Sequence, residues 1–293
     1  MTGQFEYQGH TISYDEYGAG ERVLVLTHGL LMNRRMYEGL GPEMAARGNR
    51  VICVDLLGHG RSDRPVDLQL YGMWNFADQL AALLDHLELS EAVIGGTSLG
   101  ANVSLEMAAR YPDRVRGLFV EMPVLDNALL AVALIFTPVM AALRFATPQL
   151  RLVSALTRRI PRTVQLVDVG LDWLRQEPEP SLAVLEGLLI GRSCPPHSER
   201  VNFDQPALVI GHQGDPLHPF SDSGMLVEEM PNARLVNANS ILEWRLNPRR
   251  LNDELATFLA EVWEAPELAA ARASRSGGAG AGNGQPPQAV TDG

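Results

Sequence analysis

Short apolar runs alternate along this chain with stretches whose apolar positions recur every three or four residues. That is the pattern of βα units stacked on a mostly parallel sheet. The runs Val23 to Thr27, Arg50 to Asp55, Ala92 to Gly95, Gly117 to Glu121, Ala207 to Gly211 and Ala233 to Asn237 predict strands, several apolar enough to be covered on both faces. Helices are predicted over Met36 to Arg47, Trp74 to Leu87, from just after Ser98 through Arg110, and from about Pro248 to Trp263, with Pro112-Asp113 breaking the third from the strand that follows. Ahead of all these, Thr11 to Tyr14, ending at the turn Gly18-Ala19-Gly20, predicts an opening hairpin.

Between Glu121 and Ala207 the βα rhythm stops. The first part of that segment, Ala128 to Leu143, contains no charged residue. It is short for a bilayer span, Pro138 interrupts it, and Arg144 and Arg158-Arg159 follow closely, so helices roofing a pocket fit better than a membrane crossing. A plainer alternative is that these helices only pack on one another. The chain thus divides into a core in two parts, residues 1–123 and 205–265, a helical lid over 124–204, and a tail over 272–293. From Ser274 onward the tail is rich in Gly, Ala, Pro and Gln and reads as disordered.

Composition narrows the partners. A formal net charge of -11 without long Lys/Arg runs argues against a nucleic-acid backbone, and against an anionic membrane surface. The two cysteines, Cys53 and Cys194, are far apart, and Cys53 lies inside an apolar run, so no disulfide framework is implied. The opening MTGQFEYQGH lacks the basic start and apolar stretch of a secretion signal, which points to the cytoplasm. No metal-ligand spacing occurs, and Gly58-His59-Gly60 lacks the third glycine of a dinucleotide site, so no cofactor and no metal are expected.

The candidate chemistry centres on Gly96-Thr97-Ser98-Leu99-Gly100, between an apolar strand and a predicted helix. In such a sharp strand-to-helix turn, glycines two positions either side avoid collisions while the serine is held strained and exposed. The serine then sits at a helix N-terminus, where free N–H groups, that of Leu99 included, favour a developing oxyanion. A glycine-rich turn with an idle serine is the alternative.

From about Phe5 to Trp263 the chain resembles the α/β-hydrolase superfamily, which implies an α/β fold with a mostly parallel central sheet flanked by helices. His28-Gly29, after the first buried strand, is similar to the family's oxyanion loop, which implies the Leu30 N–H as second donor. Gly58-His59-Gly60-Arg61-Ser62-Asp63 resembles a structural Gly-x-Gly-x-Ser loop, so His59 is not expected to be a catalyst. Gly211 to Pro219 resembles the loop carrying the triad acid, and Asp215 is the matching position. Serine precedes acid, as in the family.

One part departs from the resemblance. The loop after the last strand, where the family keeps its histidine, reads Val236-Asn237-Ala238-Asn239-Ser240-Ile241-Leu242-Glu243, and no histidine occurs from Pro219 to Gly293. A serine hydroxyl needs a base near neutral pH. Three substitutes present themselves. His218, three residues after Asp215, can swing in as the base, or else is a surface histidine. Glu121 stands where some haloalkane dehalogenases of the superfamily keep their acid, and it would orient a base, or act as one if burial raised its pKa. Glu243 lies beside the vacant loop, though Trp244 and Arg245 next to it suggest a salt bridge at a helix start instead. His197, held by Pro195-Pro196 in an irregular turn, and His212 have no spacing in their favour. Two functions follow: hydrolysis of an ester, lactone or thioester with a hydrophobic portion through Ser98, with a small hydrophobic substrate as partner, or a non-hydrolytic binding scaffold that keeps only the fold.

Overall fold

The computed structural model describes residues 1–162 and 165–264; the predicted tail lies outside the described residues. Its frame is a sheet of eight strands: β1 (Thr2–Tyr7), β2 (His10–Tyr17), β3 (Val23–Thr27), β4 (Arg50–Val54), β5 (Ala92–Thr97), β6 (Val115–Glu121), β7 (Ala207–His212) and β8 (Ala233–Ala238). They lie in the order β1-β2-β4-β3-β5-β6-β7-β8. The first two pairings, β1 with β2 and β2 with β4, are antiparallel and the rest are parallel. The helices are α1 (Leu40–Ala46), α2 (Met73–His86), α3 (Leu99–Arg110), α4 (Leu129–Phe145), α5 (Thr147–Thr157), α6 (Gln165–Leu174), α7 (Pro178–Ile190), α8 (His197–Arg200), α9 (Phe220–Glu229), α10 (Glu243–Leu246) and α11 (Arg249–Glu264).

Alternation along the strands builds two cores. Val25, Ile52, Ile94, Leu118 and Val209 face α2, α3 and α9, while their neighbours Leu24, Val51, Val93, Phe119 and Leu208 face α1 and α11. Cys53 is buried in the second core and burial pushes its thiol far up, so it is a small apolar filler. Because β3 connects to β4 on one side and the chain then returns to β5 on the other, the loops after β3 and β5 part from each other. The crevice between them, at the carboxyl ends of the strands, is where an open α/β sheet receives a ligand.

Two sequence expectations change here. The opening hairpin is β1 with β2, turning at Gln8-Gly9, both with positive φ (50° and 78°), as a two-residue hairpin requires. Gly18-Ala19-Gly20 instead joins β2 to β3, which are not neighbours. Strand β1 escaped the apolar pattern because it is an edge strand in which only Phe5 is buried. The helix expected over Met36 to Arg47 splits into a 3-10 turn, Arg34–Tyr37, capped by the Asn33 side chain, and α1, whose Pro42 sits in the first turn.

Candidate active site

Ser98 occupies the turn between β5 and α3 with φ 55° and ψ -110°, a conformation few side-chain-bearing residues adopt. The strain is held from both ends. Its N–H donates to the Glu121 carbonyl on β6 (2.9 Å), and its carbonyl accepts from the Asn102 N–H on α3 (3.0 Å). A Cβ on Gly96 or Gly100 would run into the Thr27 carbonyl of β3, so both glycines are required by close approach. Small residues around the turn thus let α3 press against β3 and lift the serine.

Opposite stands the loop between β7 and α9. His218 Nε2 lies 2.9 Å from Ser98 Oγ, and its Nδ1 lies 2.9 Å from Asp215 Oδ2. The second Asp215 oxygen accepts the backbone N–H groups of Leu217 (2.8 Å) and His218 (3.0 Å), so the carboxylate is gripped by its own loop. With Nδ1–H donating to the carboxylate, Nε2 is left to accept from the serine hydroxyl. Burial pushes the Asp215 carboxyl up, but His218 and the two N–H groups outweigh it and hold its pKa below the usual carboxylate value. Both side chains are largely covered.

The loop after β3 is set by His28. Leu56 N–H can only donate, so His28 Nε2 accepts it (3.2 Å), and Nδ1–H donates to the Gly29 carbonyl (2.8 Å). That carbonyl also receives the Met32 N–H (3.0 Å). With a trans peptide, the Leu30 N–H is then left on the side opposite the bonded oxygen. Gly29 is so near the nucleophile turn that a Cβ on it would stand 3.9 Å from Ser98 Cβ. His28 is fully buried, and burial lowers its pKa to about 4; His59, packed on it with ring centroids 4.7 Å apart, falls to about 3 for the same reason. Both are neutral struts of the framework.

Leu30, Ser98 and Leu99 line a common cavity of about 530 Å³, roofed by Val132, Phe136 and Met140 of α4 and Leu185 and Leu188 of α7. Its walls are overwhelmingly apolar, with Asp126 and Arg192 among the few polar groups.

Glu121 is not brought to His218. Its side chain takes the Thr97 hydroxyl and faces His212 Nε2 at 3.3 Å and Arg245 at 3.9 Å, behind the serine turn. The condition under which Glu121 would act as a base, a pKa raised by burial, is not met. Burial does push up, yet Arg245, His212 and Thr97 together prevail and the carboxyl is held below its ordinary value. His212 is raised in turn: burial lowers it, and Glu121 first and then the Ser240 carbonyl overcome that. Glu243 does form an ion pair, but with Arg250 (2.8 Å) and not with Arg245. Arg250 first, against the opposing effect of burial and with help from the Asn239 N–H, holds the Glu243 carboxyl down to about 2. His197 lies in no irregular turn; it starts α8, with Nδ1 2.9 Å from Glu229.

Two positioning residues escaped sequence reasoning. Asp222, fully buried in the first turn of α9, accepts the backbone N–H groups of Leu125 (2.7 Å), Asn127 (3.1 Å) and Ala128 (3.2 Å). It therefore ties the segment after β6 to the loop carrying Asp215 and His218. Asn102 donates to the carbonyls of Val124 (2.7 Å) and Ser193 (2.8 Å) and accepts the Val124 N–H (3.0 Å), joining both ends of the inserted helices to α3. Their partners lie too far along the chain for any local pattern to reveal them.

The family model described as "alpha/beta hydrolase fold" matches residues 22–240. Over 77 residues the chain is 43% identical to 2-hydroxymuconate semialdehyde hydrolase of Pseudomonas sp. (strain CF600), covering 26% of each. Over 101 residues it is 35% identical to AB hydrolase superfamily protein YisY of Bacillus subtilis (strain 168), 34% of this chain and 37% of that one. The match therefore spans well under half the length of these curated relatives. Among solved structures, the enol-lactonase from Burkholderia xenovorans LB400 superposes with a TM-score of 0.71 at 19% identity, covering 88% of this chain and 100% of that one, a likeness of fold.

Proposed function

The chain belongs to the alpha/beta hydrolase fold family, and from that premise we propose that it hydrolyses a carboxylic ester, lactone or thioester with a hydrophobic portion through Ser98. The observation that carries this reading is the unbroken path from Asp215 through His218 to Ser98 Oγ, each step 2.9 Å. In it, His218 stands in for the histidine missing after β8.

His218 Nε2 takes the hydroxyl proton as Ser98 Oγ bonds to the acyl carbon, and Asp215 stabilises the imidazolium through Nδ1–H. The oxyanion is received by the N–H groups of Leu30 and Leu99. Collapse breaks the bond to the leaving oxygen or sulfur, which takes the proton back from His218. Water, deprotonated by the same nitrogen, then attacks the acyl-enzyme and frees Ser98 and the acid. The apolar wall under α4 and α7 suits an alkyl or acyl chain.

The test is labelling of Ser98 by a fluorophosphonate, together with turnover of medium-chain p-nitrophenyl esters. Ser98→Ala is expected to abolish labelling and to lower kcat by about a thousandfold or more, and His218→Ala by a similar factor. Rates unchanged in either variant, or no labelling of the native chain, would refute the reading.

A further inference from the structure

Among the described residues, two charged side chains line the cavity above Ser98, Arg192 and Asp126, and their surroundings differ. Arg192 closes its Nε and one Nη on the Glu106 carboxylate (2.9 Å and 3.0 Å) and its other Nη on Glu199 (2.6 Å). One cation thus answers two carboxylates, and Arg192 has no surplus charge to offer a ligand. Asp126 is the reverse case. The cation beside it is Arg200, at 3.6 Å, a fully buried guanidinium that already grips Glu229 with two of its nitrogens. Among the described residues the Asp126 carboxylate accepts no hydrogen bond, and its side chain is 64% exposed at the rim of the cavity.

With every pair counted, this end of the cavity is negative. Arg192 and Arg200 stand against Glu106, Glu199, Glu229 and Asp126, and the carboxylates still outnumber the cations if His197, which leans on Glu229, is counted as charged. The loop presenting Asp126 is also fixed in place. Its neighbours Leu125 and Asn127 donate their N–H groups to Asp222 at 2.7 Å and 3.1 Å, so the carboxylate between them is held before anything binds, and little freedom is lost when a partner arrives. In an apolar pocket the few placed polar groups set orientation and selectivity, and here the one with charge to spare is an anion.

We propose that Asp126 selects substrates whose hydrophobic portion ends in a cation, an alkylammonium group, over those ending in a carboxylate. Turnover of such a molecule rests on the hydrolysis proposed for Ser98, whereas the sign of the charge accepted rests on the cavity rim.

Two measurements on the full chain keep these apart. In the first, kcat/KM is compared for a p-nitrophenyl hexanoate bearing a terminal trimethylammonium group and for its neutral isostere with a tert-butyl group in that place. The cationic ester is expected to be favoured by about fivefold, and the preference should shrink as salt is raised. Asp126→Asn should bring the ratio close to unity, while Asp126→Glu should keep it. In the second, octyltrimethylammonium and octanoate are titrated into the same proteins by calorimetry. The native chain should bind the cation about tenfold more tightly, attraction and repulsion both contributing, and Asp126→Asn should close the gap. The Asp126 side chain is exposed, so the variants should melt with the native chain; if they do not fold, the two ligands on the native chain still decide. Equal affinities for the two ligands, tighter binding of octanoate, or a preference that survives Asp126→Asn would each overturn the proposal. Should neither ester turn over while the calorimetric preference holds, hydrolysis through Ser98 falls and the selection of charge by Asp126 stands.

Discussion

Asp215 and Glu121 are the two carboxylates a reader of the sequence would weigh as partner to the base, and they differ in what they touch. Asp215 meets His218 Nδ1, while Glu121 serves Thr97, His212 and Arg245 behind the turn. Asp215→Asn should therefore cost on the order of 10³–10⁴ in kcat on p-nitrophenyl esters with folding preserved, because the amide disturbs the histidine tautomer. Glu121→Gln should lower the melting temperature and leave kcat within about tenfold; steady-state kinetics and thermal melts on both variants separate the roles. A larger kinetic loss at Glu121 would reverse the assignment. At this scale the strained serine turn was legible, since glycines spaced two either side of a serine have a steric reason that the Thr27 carbonyl makes concrete. His218 was legible only by proximity to Asp215. The Glu121–His212 pairing was not, because strand ends on neighbouring parallel strands carry no sequence mark of which side chains meet.

Helices α4 to α8 are inserted between β6 and β7, with Asn102 and Asp222 fastening the backbone at their ends. Asp222 receives three backbone N–H groups at the start of the insertion. Asp222→Ala strands these donors, and it should lower stability by about 2–4 kcal/mol. It should also speed proteolysis between Met122 and Leu129, read by a thermal melt and by mass analysis of the first fragments. A variant as resistant as the native chain would show that the insertion is anchored elsewhere. Strands and long helices of the core were legible because burial on both faces leaves continuous apolar runs, as in β3 and β5. The missed strand β1 buries one side chain, and the split before α1 turns on an Asn33 cap that competes with an otherwise continuous helical pattern.

For the whole molecule, the buried histidines set an acid limit. His28 and His59 have folded pKa values of about 4 and about 3 against an ordinary 6.5, so between those values the unfolded chain binds more protons. Stability is then fully present above about pH 6.5 and is lost as pH falls, by on the order of 3 kcal/mol for His28 and 5 kcal/mol for His59. Asp215 and Glu121, both depressed, add losses at still lower pH. Melting temperature should fall steeply from about pH 7 to pH 5; a flat profile would contradict neutral burial of the pair. The spacing of Asp215 and His218 on one short loop has a further consequence. Under the proposed reading every side chain of the relay from Asp215 to Ser98 precedes Pro219, so β8 and α11 contribute none of them. On that reading, substitutions on the exposed side of α11 are expected to leave the rate on p-nitrophenyl esters unchanged, whereas the loop at Ser240 and Arg245, which hold His212 and Glu121 behind the serine turn, are not free to vary.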